Sequence, residues 1–209
     1  MRGYWIWLCF GVLWLNVAQV QGKGIGNFSA TPEELMTLPG YCRPKANKDG
    51  NNMRVPEVKY WSDRIGSKVY SHIHHYCHAL VQIQHYLTSD RNEKVLVKAA
   101  LNNVNYSLER TSPKHALYPE LLLTKGYIYE VSQQYGKAVE TTHDALVMTP
   151  NSVRSYVQLS RIYLLNQQPQ QAIEVLERGV KQTQSDYLQQ RLQKYQKMMP
   201  AIDADAGSN

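Results

Sequence analysis

The sequence predicts an all-α protein made of stacked helical hairpins, and three observations carry this prediction. In the second half of the chain, small and aromatic residues recur 34 positions apart: Gly126 and Ser160, Tyr129 and Tyr163, Ala138 and Ala172, Ala145 and Gly179. Apolar residues between positions 69 and 87 recur every three or four residues, which is the period of one helix face. Pro113 and Pro150 each follow a helical pattern and end it, because proline lacks the backbone N–H of a helix interior.

Residues 1–22 are predicted to be a signal peptide. Arg2 supplies the positive start, and the apolar run over 4–17 is shorter than the ~20 residues that span a bilayer. Small residues precede a cut before Lys23. An uncleaved signal anchor is the alternative. Cleavage would leave an exported protein, periplasmic or secreted, without a membrane span.

Residues 23–60 are predicted to form an N-terminal extension with little regular structure. Thr31 suits the N-cap of a short helix, because Pro32 follows at the first helical position. Pro39 ends this helix, and an irregular loop is expected over 43–56.

The cysteines predict a crosslink between this extension and the helical part. Cleavage removes Cys9 and leaves Cys42 and Cys77, an even pair in an oxidising compartment. We predict a disulfide between them, with two reduced thiols as the alternative. The bridge requires residues 31–60 to fold back over the helix that carries Cys77.

The first helical hairpin is predicted over residues 66–110 and is longer than the repeats that follow. Its first helix carries one apolar stripe: Val69, Ile73, Tyr76, Leu80, Ile83 and Leu87. A break follows this helix, and Asp90 with Glu93 is expected to cap the second one. An irregular first hairpin is typical of stacked repeats, whose ends face water.

Two repeats follow, over 119–152 and 153–184. A fixed period of 34 residues is typical of a helical solenoid. The small residues allow two helices of a hairpin to approach closely, and the tyrosines fill the space beside them. The helices are predicted near 117–132, 135–148, 153–166 and 169–183.

These repeats resemble the tetratricopeptide family over roughly a third of the chain. In the first repeat, the family's consensus positions hold Leu122, Gly126, Tyr129, Ala138, Ala145 and Pro150. The second repeat keeps Tyr156, Leu159, Tyr163, Ala172 and Leu176. The positions that depart are Thr142, Ser160, Gly179 and Gln184. The resemblance implies a right-handed superhelix of about three hairpins with a C-terminal capping helix.

The helical domain is predicted to span 61–199. Its capping helix covers 187–195, with a narrow apolar stripe of Leu188, Leu192 and Tyr195. Residues 200–209 lack periodicity, and we expect a disordered tail there.

Five of the seven histidines lie between positions 72 and 85. At 100° per residue, His74, His78 and His85 share the helix face opposite the apolar stripe. His74 and His78 are one turn apart and are candidates for binding zinc or another transition metal. The alternative is a polar helix face that the N-terminal extension covers. No cofactor is otherwise predicted.

The sequence gives no support for catalysis or for nucleic-acid binding. It has no G-x-S-x-G elbow, no glycine-rich phosphate loop and no H-E-x-x-H motif. The formal charge of +6 is spread along the chain without a dense basic run. We therefore predict a protein that is not an enzyme and does not bind nucleic acid.

The family resemblance implies a binding groove lined by the first helix of each repeat. The residues at those positions are Glu120, Leu123, Tyr127, Glu130, Arg154, Val157, Gln158, Arg161 and Leu165. The groove would hold an extended segment or a helix of another protein. It lacks the asparagine of the lysine–asparagine carboxylate clamp that chaperone-tail binders of this family use. The alternative is that these side chains are solvated or covered by the chain's own N-terminal extension.

The expected function is a non-catalytic scaffold or adaptor for protein partners. Resemblance to exported bacterial tetratricopeptide proteins implies the cell envelope, in a polysaccharide or outer-membrane assembly. The alternative from another class is a metal-binding or metal-regulated periplasmic protein that uses the histidines of 72–78.

Overall fold

The computed structural model describes residues 30–46, 56–89 and 94–206, with side chains as far as Met198. These residues form ten helices, and no strand occurs among them. The helices are α1 (Pro32–Thr37), α2 (Arg43–Ala46), α3 (Pro56–Ile65), α4 (Ser67–Thr88), α5 (Lys94–Arg110), α6 (Tyr118–Val131), α7 (Tyr135–Met148), α8 (Val153–Leu165), α9 (Pro169–Thr183) and α10 (Asp186–Ala206). The prediction of an all-α protein is confirmed.

The helices from α4 onward pack as adjacent pairs. Helix α4 packs on α5, α6 on α7, and α8 on α9, while α10 packs on α9. Contacts also join α4 to α6, α6 to α8 and α8 to α10. The helices α4, α6, α8 and α10 therefore lie on one side of the molecule, which we call the inner side.

Both repeats turn from their first to their second helix with the same backbone geometry. Gln133 follows α6 with φ of 60°, and Gln167 follows α8 with φ of 57°. Each backbone N–H donates to the carbonyl three residues earlier, and the next N–H donates to the carbonyl of Tyr129 or Tyr163. This is the Schellman ending of a helix, in which the left-handed residue is most often glycine. The 34-residue period of the sequence is therefore also a period of the backbone.

Replacing Gln133 and Gln167 by glycine should stabilise the protein. A side chain at positive φ is strained, so each change is expected to raise the free energy of unfolding by about 0.5–1 kcal/mol. Urea denaturation followed by circular dichroism measures the change. Gln171→Gly, inside α9, is the control and should instead cost about 1 kcal/mol. A loss of stability in both turn variants would contradict the strain argument.

The small residues of the repeats lie where helices touch. Ala138, Ala145, Ser160 and Ala172 are fully buried. A β-carbon on Gly126 would lie 2.4 Å from the hydroxyl oxygen of Thr142, across the α6–α7 contact.

Thr142, which departs from the family pattern, belongs to a buried polar contact. The amide Nε2 of Gln158 in α8 donates to its hydroxyl at 3.3 Å and to the backbone carbonyl of Leu123 at 2.9 Å. A large apolar residue at 142 would remove this acceptor.

The N-terminal extension packs along α4 in the antiparallel direction. The sulfur atoms of Cys42 and Cys77 lie 2.05 Å apart, as in a disulfide, so this pairing agrees with the prediction. Toward the end of α4, the Thr37 hydroxyl donates to the Gln84 side chain at 3.2 Å. Toward its start, the ammonium of Lys45 lies 4.9 Å from the ring centre of Tyr70.

This packing changes the burial that the apolar stripe of α4 predicts. Ile73, Tyr76 and Ile83 are buried as expected, but Leu87 is 54% exposed. Several residues outside the stripe are also buried: Tyr70, Cys77, Ala79 and Val81. The stripe alone did not predict them. Tyr70 and Cys77 lie on a second face of α4, which the extension contacts.

Several boundaries differ from the sequence-based expectations. Part of the region expected to be an irregular loop forms α2, and α3 begins at Pro56, inside the predicted extension. Helix α10 continues to Ala206, whereas a disordered tail was expected from residue 200; the alanines that follow Pro200 favour helix.

Other expectations concern the ends of segments. The N-cap at Thr31 is confirmed, since its hydroxyl accepts from the Glu34 N–H and the Glu34 carboxylate accepts from the Thr31 N–H. The predicted signal peptide and the predicted cap at Asp90 and Glu93 lie outside the described residues. Among the helices that the structure describes, none combines the length and apolar character needed to cross a bilayer.

Candidate functional site

A continuous groove runs along the inner side between α4, α6 and α8. Two cavities of about 260 and 360 Å³ adjoin there and share Leu80, Thr124 and Tyr127 as walls. We call them together the inner groove. The smaller cavity is completed by Ile83, Gln84, Leu87 and Thr88, and the larger by Arg154, Val157, Gln158 and Arg161.

The structure brings together five of the nine residues predicted for the groove. These are Tyr127, Arg154, Val157, Gln158 and Arg161. Glu120 and Glu130 do not line either cavity. Each forms an ion pair with an arginine of the groove, Glu120 with Arg154 and Glu130 with Arg161. Leu165, which is 47% exposed, is not one of the residues lining either cavity.

Leu123 lies elsewhere. It is 4% exposed and belongs to a small apolar cluster with Leu122 and Ala145, so only its backbone carbonyl faces Gln158. Its side chain packs in that cluster and is not one of those that line the two cavities.

The groove wall contributed by α4 was missed from the sequence. Leu80, Ile83 and Leu87 belong to the apolar stripe, which we read as core throughout. The signal was present in the spacing, but the pattern does not say which part of a stripe a neighbouring helix leaves uncovered.

A buried ion pair fixes the α6–α8 side of the groove. The Glu130 side chain is 6% exposed, and its two oxygens accept from the Arg161 guanidinium at 2.6 and 2.9 Å. Burial lowers the pKa of Arg161, but the bonds and charge of Glu130 outweigh it and raise the pKa. The guanidinium carbon also lies 5.7 Å from the ring centre of Tyr127. Arg161 is therefore held in place and charged.

Glu120 connects the groove to the N-terminal extension. Its Oε1 accepts from the Tyr41 hydroxyl at 2.9 Å and from the Tyr76 hydroxyl at 3.2 Å. Burial raises the pKa of both tyrosines, and the Glu120 charge adds to this. Both hydroxyls therefore stay protonated and donate. The nearest guanidinium nitrogen of Arg154 is 4.0 Å away, a looser contact.

The histidine cluster lies on α4 beside α5, away from the inner groove. The ring centres of His74 and His78 are 5.7 Å apart, and His75 is 4.3 Å from His74. His75 pairs with the Asn103 side chain at 2.8 Å and stacks on Tyr106, with ring centres 3.9 Å apart. All three imidazoles are half-buried, and His75 contacts α5.

His85 lies nearer the end of α4, where its Nε2 contacts the Glu34 carboxylate of the extension. Within the described residues, no three histidine, cysteine, aspartate or glutamate side chains are arranged to hold a metal ion. His74 and His78 thus form a pair of possible ligands and not a complete set.

The protein should lose stability at acidic pH through His78. Burial, with the neighbouring His74 and His75, lowers the pKa of His78 to about 4. An unfolded histidine has a pKa near 6.5, so between these values the unfolded chain binds a proton that the folded protein does not. This stability is complete above about pH 6.5 and is lost as pH falls toward 4.

His78→Gln tests this contribution. Because solvent screens the half-buried ring, we expect the variant to lose about 1–2 kcal/mol less than the wild type between pH 7 and 4. Urea denaturation at a series of pH values measures the difference. The control is His143→Gln, at an exposed site on α7, and it should follow the wild-type curve. Identical curves for all three proteins would contradict the prediction.

Comparison of this chain with protein-family models, with curated proteins and with solved structures gave no match.

Proposed function

We propose that this chain is a tetratricopeptide-like repeat protein that acts as a non-catalytic scaffold or adaptor. In this proposal the inner groove holds a segment of a partner protein. The observation that carries it is the groove itself, which joins an open apolar wall on α4 to arginines on α8. Such a surface suits recognition of a polypeptide, in which side-chain pockets give specificity.

The repeat geometry supports the family part of the proposal. The helix pairs α6–α7 and α8–α9 have the lengths that the 34-residue signature implies, and their turns share one backbone geometry. The first helices of the pairs contact one another, as a superhelix with an inner lining of first helices requires.

The proposed role is binding without a catalytic step. Both carboxylates of the groove are engaged: Glu130 by the guanidinium of Arg161, and Glu120 by two tyrosine hydroxyls. Each is held as a structural acceptor and not as a base poised for a substrate.

We place this role in the cell envelope of a bacterium, in a polysaccharide or outer-membrane assembly. The disulfide between Cys42 and Cys77 supports an oxidising compartment. The predicted signal peptide supports export.

Site-specific photo-crosslinking in the source cell tests the proposal. A photoreactive phenylalanine derivative at Val157 or Leu87 should give a covalent adduct with one and the same protein. The matched control positions are Glu140 on α7 and Glu177 on α9, both exposed on second helices of the repeats. Equal yields of adduct from groove and control positions, or no adduct from the groove positions, would contradict the scaffold proposal.

One observation favours the second candidate, a metal-binding protein. Burial lowers the pKa of both His74 and His78, so both imidazoles are neutral at pH 7, the form that binds metals. Zinc titration of the wild type and of the double variant His74→Ala/His78→Ala tests it. Micromolar binding that the double variant loses would support a metal site, and its absence in the wild type would remove this candidate.

A further inference from the structure

The charge that the inner groove presents to solvent differs in sign from the charge that it buries. The side chains of Arg154 and Arg161 are 63% and 40% exposed. Those of Glu120 and Glu130 are only 29% and 6% exposed. The four charges cancel formally, but an incoming molecule meets the guanidinium groups first. The α8 end of the groove is therefore cationic at its surface.

The opposite end of the inner groove is apolar. Leu80, Ile83 and Leu87 form its wall, and Leu87 is 54% exposed although it belongs to the stripe that otherwise faces the core. The cavity of about 260 Å³ there is smaller than the sites of 300–1,000 Å³ that hold small-molecule ligands. It is suited to a single large side chain that remains attached to a longer chain.

We infer that the inner groove binds a polypeptide segment that carries a large apolar side chain and, several residues along, one or more carboxylates. The apolar side chain occupies the cavity between Leu80 and Leu87. The carboxylates bind Arg154 and Arg161, whose guanidinium groups line the larger cavity and are the more exposed charges of the groove. This inference rests on the proposed function, because it names the partner chemistry of the same groove.

The polarity of the groove favours such a peptide over a nucleic acid. A phosphate backbone needs cations along its whole length, whereas the residues that line the cavity at the α4 end are all uncharged. An apolar anchor beside a cationic patch matches a peptide of mixed character.

The test uses an array of synthetic 12-residue peptides and the full disulfide-bonded chain. Each peptide carries one Leu, Phe or Trp, followed after one to six residues by paired Asp or Glu. Matched peptides carry Asn or Gln, or Lys, in place of the acids. We expect the acidic peptides to bind about three- to tenfold more tightly than their amide counterparts.

Substitutions in the groove then test the preference for acidic residues and the binding of the apolar side chain separately. Arg154→Glu should reverse the preference, from acidic peptides to Lys peptides. Leu87→Ser, at an exposed position, should lower binding of every apolar peptide and leave the acid preference intact. The control is Arg178→Glu, on the exposed face of α9, and it should bind as the wild type does.

The outcomes separate this inference from the proposed function. Equal binding of acidic and amide peptides, no binding of any peptide, or an acid preference that survives Arg154→Glu would overturn the inference. The scaffold proposal would stand in those cases if crosslinks from Val157 still identify a partner, and would fall without them.

Discussion

Replacing Cys42 and Cys77 together by alanine should lower the free energy of unfolding by about 4 kcal/mol. The bridge closes a loop with a sequence separation of 35 residues, and both cysteines are fully buried. In the chain-entropy description, losing the bridge releases that loop in the unfolded state. In the folded state, the extension then depends on side-chain contacts such as those of Tyr41 and Thr37.

Thermal denaturation with and without a reducing agent measures the effect of the bridge. Reduction should lower the melting temperature of the wild type to that of the double variant and leave the variant unchanged. Alkylation of the unreduced, unfolded wild type should leave Cys42 and Cys77 unmodified. Labelling of both cysteines, together with equal melting temperatures, would contradict the prediction.

Gly126→Ala should destabilise the protein by about 2 kcal/mol, although alanine is the better helix former. The added β-carbon would lie 2.4 Å from the Thr142 hydroxyl oxygen and 3.1 Å from the Gln158 side-chain nitrogen. Thr142 is fully buried, and its hydroxyl accepts a hydrogen bond from Gln158. Moving the hydroxyl away from the new β-carbon would therefore disturb this bond and the packing around it. Urea denaturation followed by circular dichroism measures the loss.

Gly136→Ala is the matched control for this substitution. It also replaces a glycine within a helix, but its β-carbon meets nothing within 4 Å. It should raise the free energy of unfolding by about 1 kcal/mol through helix propensity alone. Removing the Thr142 hydroxyl with Thr142→Ala should reduce the cost of Gly126→Ala, because the two residues are in contact. The same sign for both glycine variants would mean that the close approach of α6 and α7 does not limit residue size.

The 34-residue pattern was sufficient to place four helices to within a residue or so at each end. The reason is local: Pro150 and Pro169 limit where helices run, and the apolar periods at these positions match α7, α8 and α9. The pattern did not reveal the Schellman turns, because glutamine at Gln133 and Gln167 carries no sign of positive φ.

The groove was only partly predictable, for a different reason. Tyr127, Arg154 and Arg161, which the repeat positions predict for the groove, line its larger cavity. Leu123 instead packs with Leu122 and Ala145, because a helical period does not fix to which neighbour a residue at the border of a helix face turns. Leu87 was read as core, but its side chain is 54% exposed.

By itself, the sequence determined the helical class, the length of the repeats and the pairing of Cys42 with Cys77, because each depends on local spacing or on a choice among few cysteines. The tertiary structure alone decided that Glu130 is buried under Arg161 and that Glu120 joins Tyr41 to α6. Those features depend on which surfaces meet between helices distant in sequence, and a helical period specifies a face of each helix but not the partner that covers it.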